Sequence, residues 1–203
     1  MDDVSGDGTG EAMEKYAEDH QISKEKMTII VNTERKMAMK NIHWAVNNFC
    51  KPYEIFVIVD GDDQIVGKQA FKLFNALYQE QKLWVMYTNF MTSRGSVGYS
   101  RPYSDRVKKS SGYRKSGFMI SHFRSFYTKL FTLLKEKDLK DENGEWYHAA
   151  NDVAMYIPMM EMSGVRVNYI PELTYLYNPN TGLNNHRVRL HEQKANDRAI
   201  RKK

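Results

Sequence analysis

Apolar residues follow two rhythms along this chain. At residues 55–59 they are continuous, Ile-Phe-Val-Ile-Val. A run without alternation predicts a strand covered on both faces, as in a sheet flanked by helices. Residues 27–31 and 83–87 are similar compact runs and predict two further strands. Residues 165–170 predict another, closed by Pro171, with a short extended segment over 173–177. Elsewhere the apolar positions recur at helical spacing. Thr33 caps a predicted helix through residue 49, with Met37, Ile42, Trp44, Ala45 and Val46 among its apolar positions. A second, over 68–79, turns Ala70, Phe71, Phe74, Leu77 and Tyr78 inward, and a third covers 151–163 and stops at Gly164. A short helix is expected over 11–20, and 118–134 reads as helical in its second half.

The polar stretches divide these elements. Residues 2–10 are a small, acidic, glycine-rich turn, and 135–145 a charged hairpin or loop around Asn143-Gly144. Residues 92–117 carry Gly, Ser, Tyr and basic side chains without periodicity and read as a long loop, a feature usually tied to function or disorder. Residues 186–203 form a basic tail, at most a loose helix. Strands alternating with helices predict an α/β sheet sandwich in one domain over 1–203, with ligands outside the carboxyl ends of its strands. That places the candidate site just after Val59.

Charge and cysteine usage narrow the setting. The net charge of +5 suits a polyanionic partner without choosing among a nucleotide, a nucleic acid and an anionic surface. Cys50 is the single cysteine, which excludes an internal disulfide and a zinc site of Cys pairs and favours a reducing, cytoplasmic setting. The chain shows no apolar run of membrane-spanning length and no signal peptide at its acidic start.

The turn after the 55–59 strand carries Asp60, Asp62 and Asp63 around Gly61. Three carboxylates in four residues repel unless a positive charge joins them. A hard divalent cation, Mg²⁺ or Mn²⁺, fits oxygen ligands of this kind and fills its shell with phosphate oxygens and water. The competing interpretation is a solvated acidic turn.

The segment Ile-Phe-Val-Ile-Val-Asp-Gly-Asp-Asp, followed by an amphipathic helix, resembles the Asp-x-Asp region of family-2 glycosyltransferases of the GT-A fold. Three more segments agree in order: Asp2-Asp3-Val4-Ser5-Gly6-Asp7-Gly8-Thr9 with a nucleotide-binding loop, Ala150-Asn151-Asp152-Val153 with a catalytic segment, and Asn184-Asn185-His186 with a C-terminal metal-binding histidine. The resemblance implies a GT-A-like mixed sheet flanked by helices, with residues 1–90 as a nucleotide- and metal-binding half and 91–185 as an acceptor-side half. It implies inverting, metal-dependent transfer from a nucleoside-diphosphate sugar, a UDP-sugar favoured, to a glycan or other hydroxyl acceptor. Asp2, Asp3 and Ser5 would lie in the loop at the base or ribose, Asp60 near the ribose and the metal, Asp62 on the metal with His186, and Asp152 at the acceptor as general base. His122, Arg124 and Trp146 are candidate acceptor or diphosphate contacts. Asn151 stands where many relatives carry Glu. The nucleotide loop starts at residue 2, so the resemblance implies that an opening β-α-β is absent, which would leave unpaired sheet edges open to association.

Other readings remain. Asp3, Ser5, Asp7, Gly8 and Glu14 also match an EF-hand calcium loop, though no entering helix precedes them. Tyr99, Arg101, Tyr103 and Arg106 interleave aromatics with charge as single-strand nucleic-acid binders do, a partner less expected than a sugar nucleotide. A catalytically impaired relative that acts as a binding module is the third.

Overall fold

The computed structural model describes residues 1–180 and 189–203. They fall into two compact units, Met1–Ala45 and Val46–Lys203.

In the first unit Asp7 starts helix α1 (Thr9–Asp19) by accepting from the Thr9 amide at 3.1 Å and the Thr9 hydroxyl at 2.6 Å. A helix beginning at Thr9 occupies the second half of any loop over residues 3–14, which removes the EF-hand reading. The strand expected over 27–31 is reduced to one parallel bridge between Asp2 and Val31. The Asp2 amide donates to Ile30 O at 2.7 Å, and the Asn32 amide to Asp2 O at 3.0 Å. A strand needs a partner of its own length, and Asp2 supplies a single residue. Helix α2 (Met37–Phe49) starts four residues after the expected Thr33 cap.

The second unit is built on a five-stranded mixed sheet. Its strands are β1 (Ile55–Ile58), β2 (Gln64–Ile65), β3 (Val85–Thr92), β4 (Arg124–Tyr127) and β5 (Val167–Tyr177). The order is β1-β4-β3-β5-β2, with β3 and β5 parallel and the other pairs antiparallel. Strand β1 lies at one end of this order and all four of its residues are only half-buried, not covered on both faces as its apolar run suggested.

Alternation along β4 shows how the sheet is covered. Ser125 faces helix α3 (Ala70–Gln81), where its hydroxyl meets the Tyr78 hydroxyl at 3.0 Å. Phe126 faces the other way, 5.7 Å from the Tyr156 ring of helix α6 (Asn151–Ser163). Ala70, Phe74 and Tyr78 of α3 pack with Met86, Phe123 and Tyr175 in one core. Phe71, expected inward, is 57% exposed, one residue round from that stripe. Helix α6 is buried on nearly every side, its bounds fall where the sequence put them, and Gly164 closes it at φ 54°.

Three expectations change. Residues 124–127, within the segment read as partly helical, form β4 because they slot between β1 and β3, and only the short helix α5 (Thr128–Thr132) follows. The expected loop 92–117 holds helix α4 (Asp105–Lys109), capped by Ser104, and a 3-10 turn at Gly112–Lys115, and it buries Tyr103 and Tyr113. Strand β5 runs straight through Pro171. Its pairing with β3 shifts between Tyr87↔Tyr169 and Asn89↔Leu173, so the proline sits in an irregularity where its missing N–H costs no ladder bond.

The basic tail is a docked helix, α7 (Leu190–Ile200). Ile200 is buried, and the Arg201 guanidinium donates to Arg114 O at 2.8 Å and Ser116 O at 2.6 Å.

Candidate active site

Strand pairing assembles the first cluster. Strands β1 and β4 run antiparallel with Ile58 opposite Arg124. Extending that register by two residues sets Asp60 against His122, and their Oδ2 and Nδ1 atoms lie 3.6 Å apart. On the other side, β2 pairs with β5 through Ile65↔Tyr175, which brings Asp63 to the end of β5, where the Asn178 amide donates to its Oδ1 at 2.8 Å. The Asp60 amide donates to the Tyr175 hydroxyl at 3.1 Å. Asp60, Asp63 and His122 each turn one ligand-type atom into a space where all three lie within 4.8 Å of one another.

The electrostatics there are unsettled without a further group. Burial raises the Asp60 carboxyl above the ordinary carboxylate range, against the pull of Arg124, with Asp62 and Asp152 adding to the rise. Burial likewise raises Asp63. Burial, then the positive charge of Arg124, pulls His122 down to about 3, so its imidazole is neutral at pH 7. The ring is held flat against Tyr175 and Tyr177, with centroids 4.9 and 5.5 Å away. Asp63 Oδ2 and His122 Nδ1 are buried without a partner in normal hydrogen-bond geometry among the described residues, the Tyr175 hydroxyl being near enough to Asp63 only to offset part of its rise. Buried polar atoms left unpaired are costly, and here two converge on one point. Two carboxylates and a neutral imidazole form a donor set that a divalent cation would satisfy.

The second cluster centres on Asp152, in the first turn of α6. Its Oδ2 accepts from Arg124 Nη1 at 2.9 Å and its Oδ1 from the Val153 amide at 2.8 Å. Arg124 is itself buried. Burial works against its charge, but Asp152, Tyr156 and Asp60 outweigh that and raise its pKa above the usual guanidinium value. One buried cation thus links the two clusters electrostatically. Beside Asp152 opens a cleft of about 310 Å³ whose wall includes Tyr99, Phe118, Gln193, Lys194 and Arg198.

The other expected residues sit as follows. Asp62 is exposed on the same turn, outside the convergent group. His186 lies outside the described residues. Arg124, expected as a substrate contact, spends its guanidinium on Asp152. Trp146 belongs to a hairpin, bridged to Lys140 with that ammonium 4.7 Å from its ring, and is absent from the cleft wall. In the first unit Asp2 is buried and accepts from the Ser5 amide at 3.2 Å. Asp3 accepts from Asn32 Nδ2 and the amides of Lys36 and Met37, each at 2.8 Å, clamping the start of α2. Sequence reasoning missed Asp63 as a ligand-type residue and Tyr99 as a cleft wall. The signal for Asp63 was its place in the carboxylate trio of the turn, and Tyr99 was marked only by the interleaving of aromatics with charge, read there as a nucleic-acid pattern.

The profile of the family described as Glycosyl transferase family 2 matches residues 1–137. The chain belongs to glycosyl transferase family 2. No curated protein matches it. Among solved structures this family-2 chain is similar to S. aureus TarS 1-349, with a TM-score of 0.57 and 18% identity over 87% of this chain and 49% of that one. It is similar as well to the same TarS segment in complex with UDP-GlcNAc, with a TM-score of 0.56 and 16% identity over 89% and 49%. The family-2 chain therefore has the GT-A-like mixed α/β fold and spans about half the length of those TarS chains. The family profile covers the Asp60 turn and His122 but ends before Asp152 and α7. Among the described residues no helix is long and apolar enough to cross a membrane.

Proposed function

We propose that this family-2 domain transfers a sugar, with inversion, from a nucleoside-diphosphate sugar to an acceptor hydroxyl, with Mn²⁺ or Mg²⁺ at the Asp60 turn. The observation that carries this is the convergence of Asp60, Asp63 and His122, two of them bearing buried atoms without partners. A UDP-sugar is the favoured donor, supported by the TarS complex with UDP-GlcNAc.

Asp60, Asp63 and His122 would hold the cation, and the exposed Asp62 would add an outer carboxylate on the diphosphate side. A divalent ion so held supplies Lewis-acid stabilisation of the leaving diphosphate. His122 serves as a ligand because its imidazole stays neutral and its ring is fixed by two tyrosines. Asp152 takes the proton of the attacking hydroxyl. Each of its oxygens keeps a free lone pair beyond the single hydrogen bond it accepts. Arg124 orients that carboxylate through its 2.9 Å contact with Oδ2. In the first unit we assign Asp2, Asp3 and Ser5 to the loop at the base and ribose, with Asp3 acting by holding the loop on α2.

The test is a titration of Mn²⁺ with a panel of sugar nucleotides, followed by melting temperature, because a ligand of the folded state alone raises it. A rise with a UDP-sugar plus Mn²⁺, lost in both Asp63→Ala and Asp62→Ala, is expected. An undiminished rise in both variants would overturn the metal assignment.

A further inference from the structure

We infer that the cleft between α6 and α7 is an acceptor subsite for a sugar that carries a negative charge. This rests on the proposal that Asp152 is the general base, and it adds the chemical class of the acceptor.

The cleft offers three kinds of contact. The first is an aromatic platform. Tyr99 is 60% exposed, yet its hydroxyl is fixed by donation to Ile120 O at 3.3 Å, so the ring is presented and held; the half-buried Phe118 lies beside it. A fixed aromatic face with a wet edge suits the apolar face of a pyranose. The second is an unused acceptor: Gln193 Oε1, on the same wall, is buried without a partner and would receive a hydroxyl proton. The third is charge. Lys194 and Arg198 stand four residues apart on α7, on one face of the helix, and both line the cleft. Like charges at that spacing destabilise a helix unless an anion joins them.

Most of the other described tail cations are committed elsewhere, and Lys202, also without an ion pair among the described residues, does not line the cleft. Arg201 is spent on Asp197 and on two backbone carbonyls, and Lys203 on the carbonyls of Lys137 and Lys140. Arg189 pairs with Glu192. Lys194 and Arg198 have no ion-pair partner among the described residues, and Asp197 between them is committed to Arg201. The carboxylate of Asp152 at the same cleft is already neutralised by Arg124. The wall carries two carboxylates, Asp152 and Asp197, each already paired with an arginine, and two cations without ion pairs, so its uncommitted charge is positive, with a hydrogen-bond acceptor and a stacking face beside the proposed base. A sugar phosphate or a uronic acid presents all three complements at once, with its hydroxyls toward Asp152 and its anion toward α7.

The experiment measures binding of methyl glucoside, glucose 6-phosphate, methyl glucuronide and inorganic phosphate to the full chain by ligand-observed NMR, with each probe alone. The expected result is at least about tenfold tighter binding of one or both anionic sugars than of methyl glucoside, as charge-assisted hydrogen bonds would give. That preference should vanish in the double variant Lys194→Gln/Arg198→Gln, and Tyr99→Ala should weaken every sugar. Preference for only one anionic sugar supports the subsite and tells phosphate from carboxylate. Equal binding of charged and neutral sugars overturns it, as does inorganic phosphate binding as tightly as glucose 6-phosphate, or a double variant that keeps the preference. Melting shifts with Mn²⁺ and a UDP-sugar, measured in parallel, read the donor side. Donor shifts without anionic preference sink the subsite alone, and preference without donor shifts sinks the donor proposal alone.

Discussion

The Asp60 turn and the cleft at α7 are two halves of one proposed reaction, and they are built in opposite ways. At the turn, the ligand-type atoms come from strand ends whose spacing is set by backbone pairing, β1 with β4 and β2 with β5. Strand pairing and the stacking of His122 on two tyrosines hold those atoms in place before anything binds, and two of them are buried and unpartnered. At the cleft, one wall is the start of α6 and the other is a helix docked by side chains, through Asn196 to Ala149 O and Arg201 to the 114–116 backbone. Its cations remain in solvent. The difference teaches that a rigid sheet suits a group needing fixed ligand geometry, whereas a helix held by a few polar contacts suits recognition of a variable partner.

The largest effect that would sharpen this contrast is at the base. Asp152→Asn should lower transfer by about 10²- to 10⁴-fold, the usual worth of general base catalysis, while the melting shift with Mn²⁺ and a UDP-sugar persists. If both readouts fall together, Asp152 belongs to the donor side. Next is its partner. Arg124→Met removes the charged partner of a half-buried carboxylate and should cost about 1–3 kcal/mol in urea unfolding. A cost near zero would mean that the pair is solvated and the two clusters are not linked.

A subtler effect concerns protons at the turn. Asp60 and Asp63 are raised in the folded chain, so their contribution to the cation-free fold is most favourable when they are protonated and is lost as pH rises through their raised values. A cation needs both ionised. Its melting shift should therefore fade on acidification at a higher pH than a solvent-exposed carboxylate would dictate, and Asp63→Asn should stabilise the cation-free protein at neutral pH while abolishing the shift. A shift that is flat down to the ordinary carboxylate range would remove these two residues from the site. The smallest effect is at the helix dock. Asn196→Ala removes one hydrogen bond and should cost about 1 kcal/mol, with weakened binding of sugars in the cleft and no change in cation response.

Legibility followed the range of the interactions. The 55–58 strand, α3 and α6 show in the sequence because their patterns are local, and α6 is apolar enough all round to announce burial. Strand β4 does not, because Arg-Ser-Phe-Tyr takes extended form only through partners on both sides. The loop over 92–117 reads as featureless because its order comes from single buried rings, Tyr103 and Tyr113, at no regular spacing. At the site, the aspartate turn and Asp152 were visible as residue types in order, but the partners that give them chemistry were not.

By itself the sequence determined that an apolar strand ends in a cluster of carboxylates, that an acidic helix start follows much later, and that the tail is basic. These are properties of neighbours along the chain. Only the tertiary structure decided that His122 faces Asp60, that Arg124 holds Asp152, and that Lys194 and Arg198 are the tail cations left for a cleft. Strand register and helix docking choose those partners, and both depend on contacts between residues far apart in sequence, where no local periodicity carries the information.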